Sequence, residues 1–133
     1  MPSEEEKILK DNKVIAVVGL SSNPDRPSNQ VAAYLKGKGY KVIPVNPNEK
    51  EILSEVCYPS LSAIPGHVDV VDIFRKSEDC PPIAQEAVKI GAGVVWMQEG
   101  VVSEEAAKCA RDAGLRVVMD KCIKKEHQKI SGK

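Results

Sequence analysis

Residues 13–28 read KVIAVVGLSSNPDRPS. The first six are apolar after the leading lysine and rich in β-branched side chains, the composition of a strand covered on both faces. Gly19 then stops the run, and a loop of small polar residues with two prolines leads to Ser28, where a helix-compatible stretch begins. Strand, long loop and helix in that order open an α/β unit with a parallel sheet.

The rest of the chain repeats the pattern. Runs at 41–45, 68–74, 93–97 and 116–119 read as four further strands. Helices are expected over 28–36, briefly over 60–64, over 82–90 and over 103–113. Ser28 and Ser103 can cap first turns, and Gly37, Gly91 and Gly114 stand where helices end. In the third stretch Ile83, Ala84, Ala87, Val88 and Ile90 form an apolar stripe opposite Gln85, Glu86 and Lys89, so that face is core. Right-handed crossovers then give a Rossmann-like doubly wound parallel five-stranded sheet, for which 3-2-1-4-5 is the natural order. Residues 1–11 and 128–133 are expected to be peripheral to a single domain of 133 residues, and the basic segment 123–133 is helix-compatible at first and reads as a solvated tail that frays.

Composition excludes several functions. Basic and acidic residues balance at 19 each, so no global field attracts nucleic acid or an anionic membrane. Apolar runs such as 14–19 and 93–97 are far shorter than the roughly 20 residues of a membrane span, and 1–11 is polar. A cytoplasmic location is expected. Cys57, Cys80, Cys109 and Cys122 are widely spaced, without the paired spacing of zinc sites, and read as reduced thiols.

Ligands of open α/β sheets bind beyond the carboxyl ends of the strands, so the residues just after each strand carry the functional information. After the first strand, Gly19, Ser21, Arg26 and Ser28 form a candidate phosphate cradle leading to a helix N-terminus. The alternative for Gly19 is a tight turn with no ligand. Neither GxGxxG nor GxxxxGK[ST] is present, which weakens a dinucleotide fingerprint and a P-loop. The second strand ends Val45-Asn46-Pro47, where a dinucleotide enzyme usually places an acidic ribose ligand. The third ends Ile73-Phe74-Arg75-Lys76, the fourth Gln98-Glu99-Gly100, and the fifth Asp120-Lys121-Cys122. His67 and His127 lie away from these ends, so no histidine-based acid, base or nucleophile set assembles. The constellation reads as binding without catalysis.

At these residues the sequence resembles the CoA-binding domain family of stand-alone Rossmann-like proteins, related to the N-terminal domain of the succinyl-CoA synthetase alpha subunit. The resemblance spans about 12–127 and is carried by VVGLSSNPDRPSNQVAAYL, PVNPN, VDVVDIFRK, VVWMQEGVVSEEAA and VVMDKC. It implies that Gly19, Ser21 and Arg26 meet the phosphate-bearing half of coenzyme A and that Val45, Asn46 and Pro47 pass beside the nucleotide. Ile73, Phe74 and Arg75 would line the crevice, with Gln98, Glu99 and Gly100 closing the pantetheine side. The synthetase domain has a lysine shortly after the proline of the second-strand turn, whereas this chain has Asn48 and Glu49 before Lys50, which leaves the cation for the 3′-phosphate unassigned. Cys122 comes within the expected reach of a pantetheine thiol, for a mixed disulfide or as a passive thiol.

The expected function is therefore non-catalytic binding of coenzyme A or an acyl-CoA, as a small-molecule carrier, sensor, homo-oligomer or part of a larger enzyme assembly. The alternatives are an NAD(P)-binding or oxidoreductase domain and an interaction module with an unused crevice. Replacing Gly19 with valine is expected to obstruct phosphate more than it disturbs the core.

Overall fold

A computed structural model describes residues 3–131. Five parallel strands form the central sheet: β1 (Val14–Val18), β2 (Lys41–Val45), β5 (Val70–Ile73), β6 (Val94–Met97) and β7 (Arg116–Val118). Between β2 and β5 the chain makes a small antiparallel hairpin, β3 (Glu51–Ile52) and β4 (Glu55–Val56). The helices are α1 (Glu4–Asp11), α2 (Pro27–Gly37), α3 (Cys80–Lys89), α4 (Glu104–Asp112) and α5 (Ile123–Ser131), and short 3-10 turns occupy Leu61–Ala63 and Ser77–Asp79.

Strand alternation divides the core into two layers, as expected of a sheet covered on both faces. Ala16, Val18, Ile43, Val71, Ile73, Val95 and Met97 pack with the alanines of α3 and α4. Ile15, Val17, Val42, Val70, Val94 and fully buried Trp96 face the side covered by α1, α2 and α5.

The sheet is doubly wound, but its order is β2-β1-β5-β6-β7. Counting the parallel strands alone this is 2-1-3-4-5, which corrects the expected 3-2-1-4-5. Two features hold the third parallel strand beside β1. The Asp69 carboxylate, just before β5, accepts the N–H groups of Lys13 and Val14 at 3.1 and 3.0 Å. The outer edge of β2 is meanwhile occupied, because Tyr58 donates its N–H to the Pro44 carbonyl and accepts the Asn46 N–H. A third strand has no free edge at β2 to join.

Helix ends differ in detail from the sequence reading. Ser103 caps α4 by accepting the Ala106 N–H at 3.1 Å, as expected. Ser28 does not cap α2: Pro27 already occupies the first helical position, Arg26 is the N-cap residue, and Ser28 lies inside the first turn. Gly37 is likewise helical, and the left-handed position after α2 falls to Gly39 at φ +94°.

Both ends of the described chain are helical and packed. Ile8 and Leu9 of α1 are fully buried, as is Ile123 of α5, although 1–11 and the basic tail were expected to lie at the periphery. Their apolar residues are too few to stand out in a charged stretch; they pack in one core layer with Ile15, Val17, Leu35 and Val42, and polar contacts from elsewhere tie the two helices down. The Tyr40 hydroxyl donates to the Leu9 carbonyl at 2.6 Å, and the Tyr34 hydroxyl meets His127 Nδ1 at 2.8 Å. Burial, with Lys38 and Lys13 nearby, holds the His127 imidazole below its ordinary pKa.

Candidate functional site

The strand order puts the switch point between β1 and β5, parallel neighbours whose following helices, α2 and α3, cover opposite faces of the sheet. Gly19 and Phe74 are the first residues beyond these two strands. The Phe74 N–H donates to the Val18 carbonyl at 2.8 Å, and the Gly19 N–H donates to Val45 at 3.0 Å, so the three strand ends are laced together. Gly19 has φ +86°, and a Cβ there would lie 2.5 Å from the Phe74 carbonyl oxygen and 2.9 Å from Arg75 Cδ. The glycine is thus a requirement of the fold itself, which corrects the expectation that Gly19→Val spares the core.

From Gly19 the loop is built by its own short polar side chains. Ser28 Oγ accepts the Ser21 N–H at 3.0 Å, and Ser21 Oγ accepts the Asn23 N–H at 3.1 Å. Asn29 and Asn46 donate from opposite sides to the Ser21 and Leu20 carbonyls, at 2.9 and 3.0 Å. The loop is held in a concave form in this way. Gly19, Ser21, Arg26, Ser28 and Phe74 line its hollow, with a volume of about 320 Å³. The Ser28 N–H, in the first turn of α2, has no acceptor among the described residues. Arg26 has no ion-pair partner among them either.

This hollow shares Gly19, Pro27 and Phe74 with the wall of a larger cavity of about 750 Å³. There the structure brings together Asn46, Arg75, Gln98, Glu99 and Cys122 from four strand ends. Val45 and Pro47 line a third hollow on the other side of Gly19 and Arg75, against Pro59 and Ile83. Two expected residues line none of these spaces. Ile73 is fully buried, because alternation turns it into the layer beneath α3 and α4. Gly100 instead gives its N–H to Asp120 Oδ1 at 2.7 Å, fixing the loop after β6 to the end of β7.

Sequence reading missed two acidic residues here. Asp79 lines the large cavity and pairs with Arg75 at 3.4 Å; the spacing of four residues at the entry to α3 was the available signal. Asp72 lies in the middle of β5, opposite Val17 and Trp96, with no exposure and no hydrogen-bond partner for either carboxylate oxygen. Burial pushes its carboxyl well above the ordinary aspartate range. An acidic residue within the apolar run VDVVDIF was its sequence signal.

Gln98 ties the cavity to the last helix. It is only 4% exposed, and its Oε1 accepts the Ile123 N–H at 3.0 Å, at the start of α5. Glu99 pairs with Lys125 at 2.9 Å on the outer rim. Among the described residues no cluster of three metal-ligating side chains occurs, and no helix is long and apolar enough to cross a membrane.

Comparison with known proteins agrees with this geometry. Over 125 residues the chain is 44% identical to the uncharacterized protein YneT of Bacillus subtilis, covering 94% of this chain and 93% of that one. A hypothetical protein from Pyrococcus horikoshii superposes with a TM-score of 0.94 at 42% identity, over 97% of this chain and 91% of that chain. The ADP-forming acetate–CoA ligase II of Archaeoglobus fulgidus is 37% identical over 101 residues, 74% of this chain but 15% of the ligase. The model of the CoA binding domain matches residues 13–128, a stretch that takes in every strand of the sheet and the whole crevice at their carboxyl ends, and the chain belongs to that family.

Proposed function

We propose that the protein binds coenzyme A, free or as an acyl thioester, in the crevice at the carboxyl ends of its parallel strands, and does so in the cytoplasm. The observation that carries this reading is that two differently built spaces lie side by side, sharing Gly19, Pro27 and Phe74 as wall. One is a small polar hollow with an unpaired arginine and a free helix N–H, suited to phosphate. The other is a longer cavity with apolar walls at Val31, Phe74 and Val101 and polar groups at its rim, suited to an extended arm. A ligand with an anionic head and a long, mostly uncharged tail fits both at once. Asn46, in place of an acidic ribose ligand, favours this over a dinucleotide, since its side chain is engaged with Leu20 and Asn48.

Thermal unfolding in the presence of coenzyme A, dephospho-coenzyme A, NAD and ATP tests the reading, because a ligand of the native state raises the melting temperature. Coenzyme A should give the largest rise. A larger rise with NAD overturns the proposal.

A further inference from the structure

We infer that Cys122 is a covalent docking point for the far end of the ligand, forming a mixed disulfide there by exchange with a small-molecule disulfide of the pantetheine class. The inference rests on the coenzyme A reading above and assigns a chemistry to one end of that crevice.

The four thiols are not equivalent. Cys57 and Cys80 are buried, with their sulfurs near the Asn46 and Lys76 carbonyls at 3.5 and 3.6 Å, and burial pushes both thiols up. Such thiols are poor nucleophiles. Cys109 is half-buried on α4 and lines none of the cavities around the crevice. Cys122, between β7 and α5, is partly exposed and forms part of the wall of the large cavity.

A second group in that wall points to a ligand. Gln98 is almost wholly buried and its oxygen is committed to the Ile123 N–H, yet its side-chain nitrogen has no acceptor among the described residues. That nitrogen is not sealed off either, since the buried side-chain atoms lacking a partner are those of Asp72. Gln98 thus brings an amide donor without an acceptor among the described residues to the same cavity wall as Cys122, and its oxygen is anchored to the residue that follows Cys122. A pantetheine arm, which carries amide carbonyls and ends in sulfur, satisfies the donor and presents its sulfur to the thiol. The phosphate hollow shares Gly19, Pro27 and Phe74 with the same cavity, so the head and the sulfur are held within one crevice.

In the exchange, the Cys122 thiol loses its proton and its sulfur attacks one sulfur of the disulfide of coenzyme A. The bond between the two ligand sulfurs breaks as the bond to Cys122 forms, and the departing coenzyme A thiolate takes up the proton. One disulfide is consumed and one is made, so no other oxidant is needed.

Intact-protein mass spectrometry with peptide mapping, on the reduced full-length chain mixed with coenzyme A disulfide, tests this. The expected result is one adduct at Cys122, released by dithiothreitol and absent in Cys122→Ser. It should form roughly tenfold or more faster than the adduct from glutathione disulfide, because a docked disulfide reacts at high effective concentration. Equal rates for the two disulfides, or attachment at Cys109 instead, overturn the inference. Calorimetry with reduced coenzyme A separates the two readings: reversible binding without an adduct overturns covalent docking alone, whereas neither binding nor adduct removes both.

Discussion

Gly19 and Phe74 approach so closely that a Cβ on the glycine would lie 2.5 Å from the Phe74 carbonyl oxygen. Because the obstacle is backbone, no rotamer change relieves it. Gly19→Ala is therefore expected to destabilise the protein by on the order of 2 kcal/mol or more, from left-handed strain plus displacement of the strand end. Urea denaturation checks it, and a variant as stable as the parent contradicts the close approach.

Asp72 gives a pH prediction of definite sign. Its folded pKa is raised by burial, so above the unfolded value near 3.8 the folded chain retains a proton that the unfolded chain releases. Stability on this account falls as pH rises from that value through the folded pKa. Asp72→Val keeps a β-branched residue in the strand and removes two unpaired oxygens. It should stabilise the fold by on the order of 1 to 3 kcal/mol at neutral pH and by less near pH 3, where the unfolded chain also keeps the proton and only the unpaired neutral carboxyl is relieved. Equal effects at both pH values would sink the assignment.

Asp69 behaves in the opposite way. Burial pushes its carboxyl up, but the N–H groups of Val14 and Lys13, with His67 at 2.9 Å, prevail and hold it below the ordinary range. Its contribution is present above the unfolded pKa and is lost as pH falls through the folded one. Asp69→Ala should cost on the order of 1.5 to 3 kcal/mol at pH 7 and progressively less in acid. Denaturant midpoints at several pH values read this directly.

Arg26 and Arg75 differ in availability. Arg75 is already paired with Asp79 at 3.4 Å, whereas Arg26 has no carboxylate among the described residues. If Arg26 meets a phosphate of coenzyme A, Arg26→Ala should lower affinity roughly tenfold or more, and Arg75→Ala should cost less. The loss should shrink in high salt. Comparing dephospho-coenzyme A with coenzyme A on the two variants identifies which arginine reads the 3′-phosphate; parent-like binding by both variants removes the arginines from the site.

The parallel strands were legible because runs such as VIAVV and VVWM carry their own signal, and the crevice followed from knowing where such strands end. What escaped depended on partners distant in sequence. The position of β5 rests on Asp69 meeting residues more than fifty positions earlier, and on Tyr58 closing the edge of β2. The β3–β4 hairpin turns through Leu53 and Ser54 at φ 54° and 63°, where a sequence reader looks for asparagine or glycine. Helix α1 buries only a few apolar residues, so charge masked it, and in the helix-compatible segment of α5 charge masked the burial of Ile123. Within the site, Gln98, Phe74 and Cys122 were visible as residues following strands, while the unpartnered state of Asp72 became apparent only from its burial.

Trp96 is the chain's one tryptophan, fully buried on β6, and its indole N–H donates at 2.8 Å to the carbonyl of Lys121, the residue before Cys122. The molecule therefore contains its own optical reporter, wired to the segment that walls the crevice. Excitation of this single fluorophore should follow occupancy of the cavity, and attachment of sulfur at Cys122, through a shift in emission that needs no dye and no engineered residue.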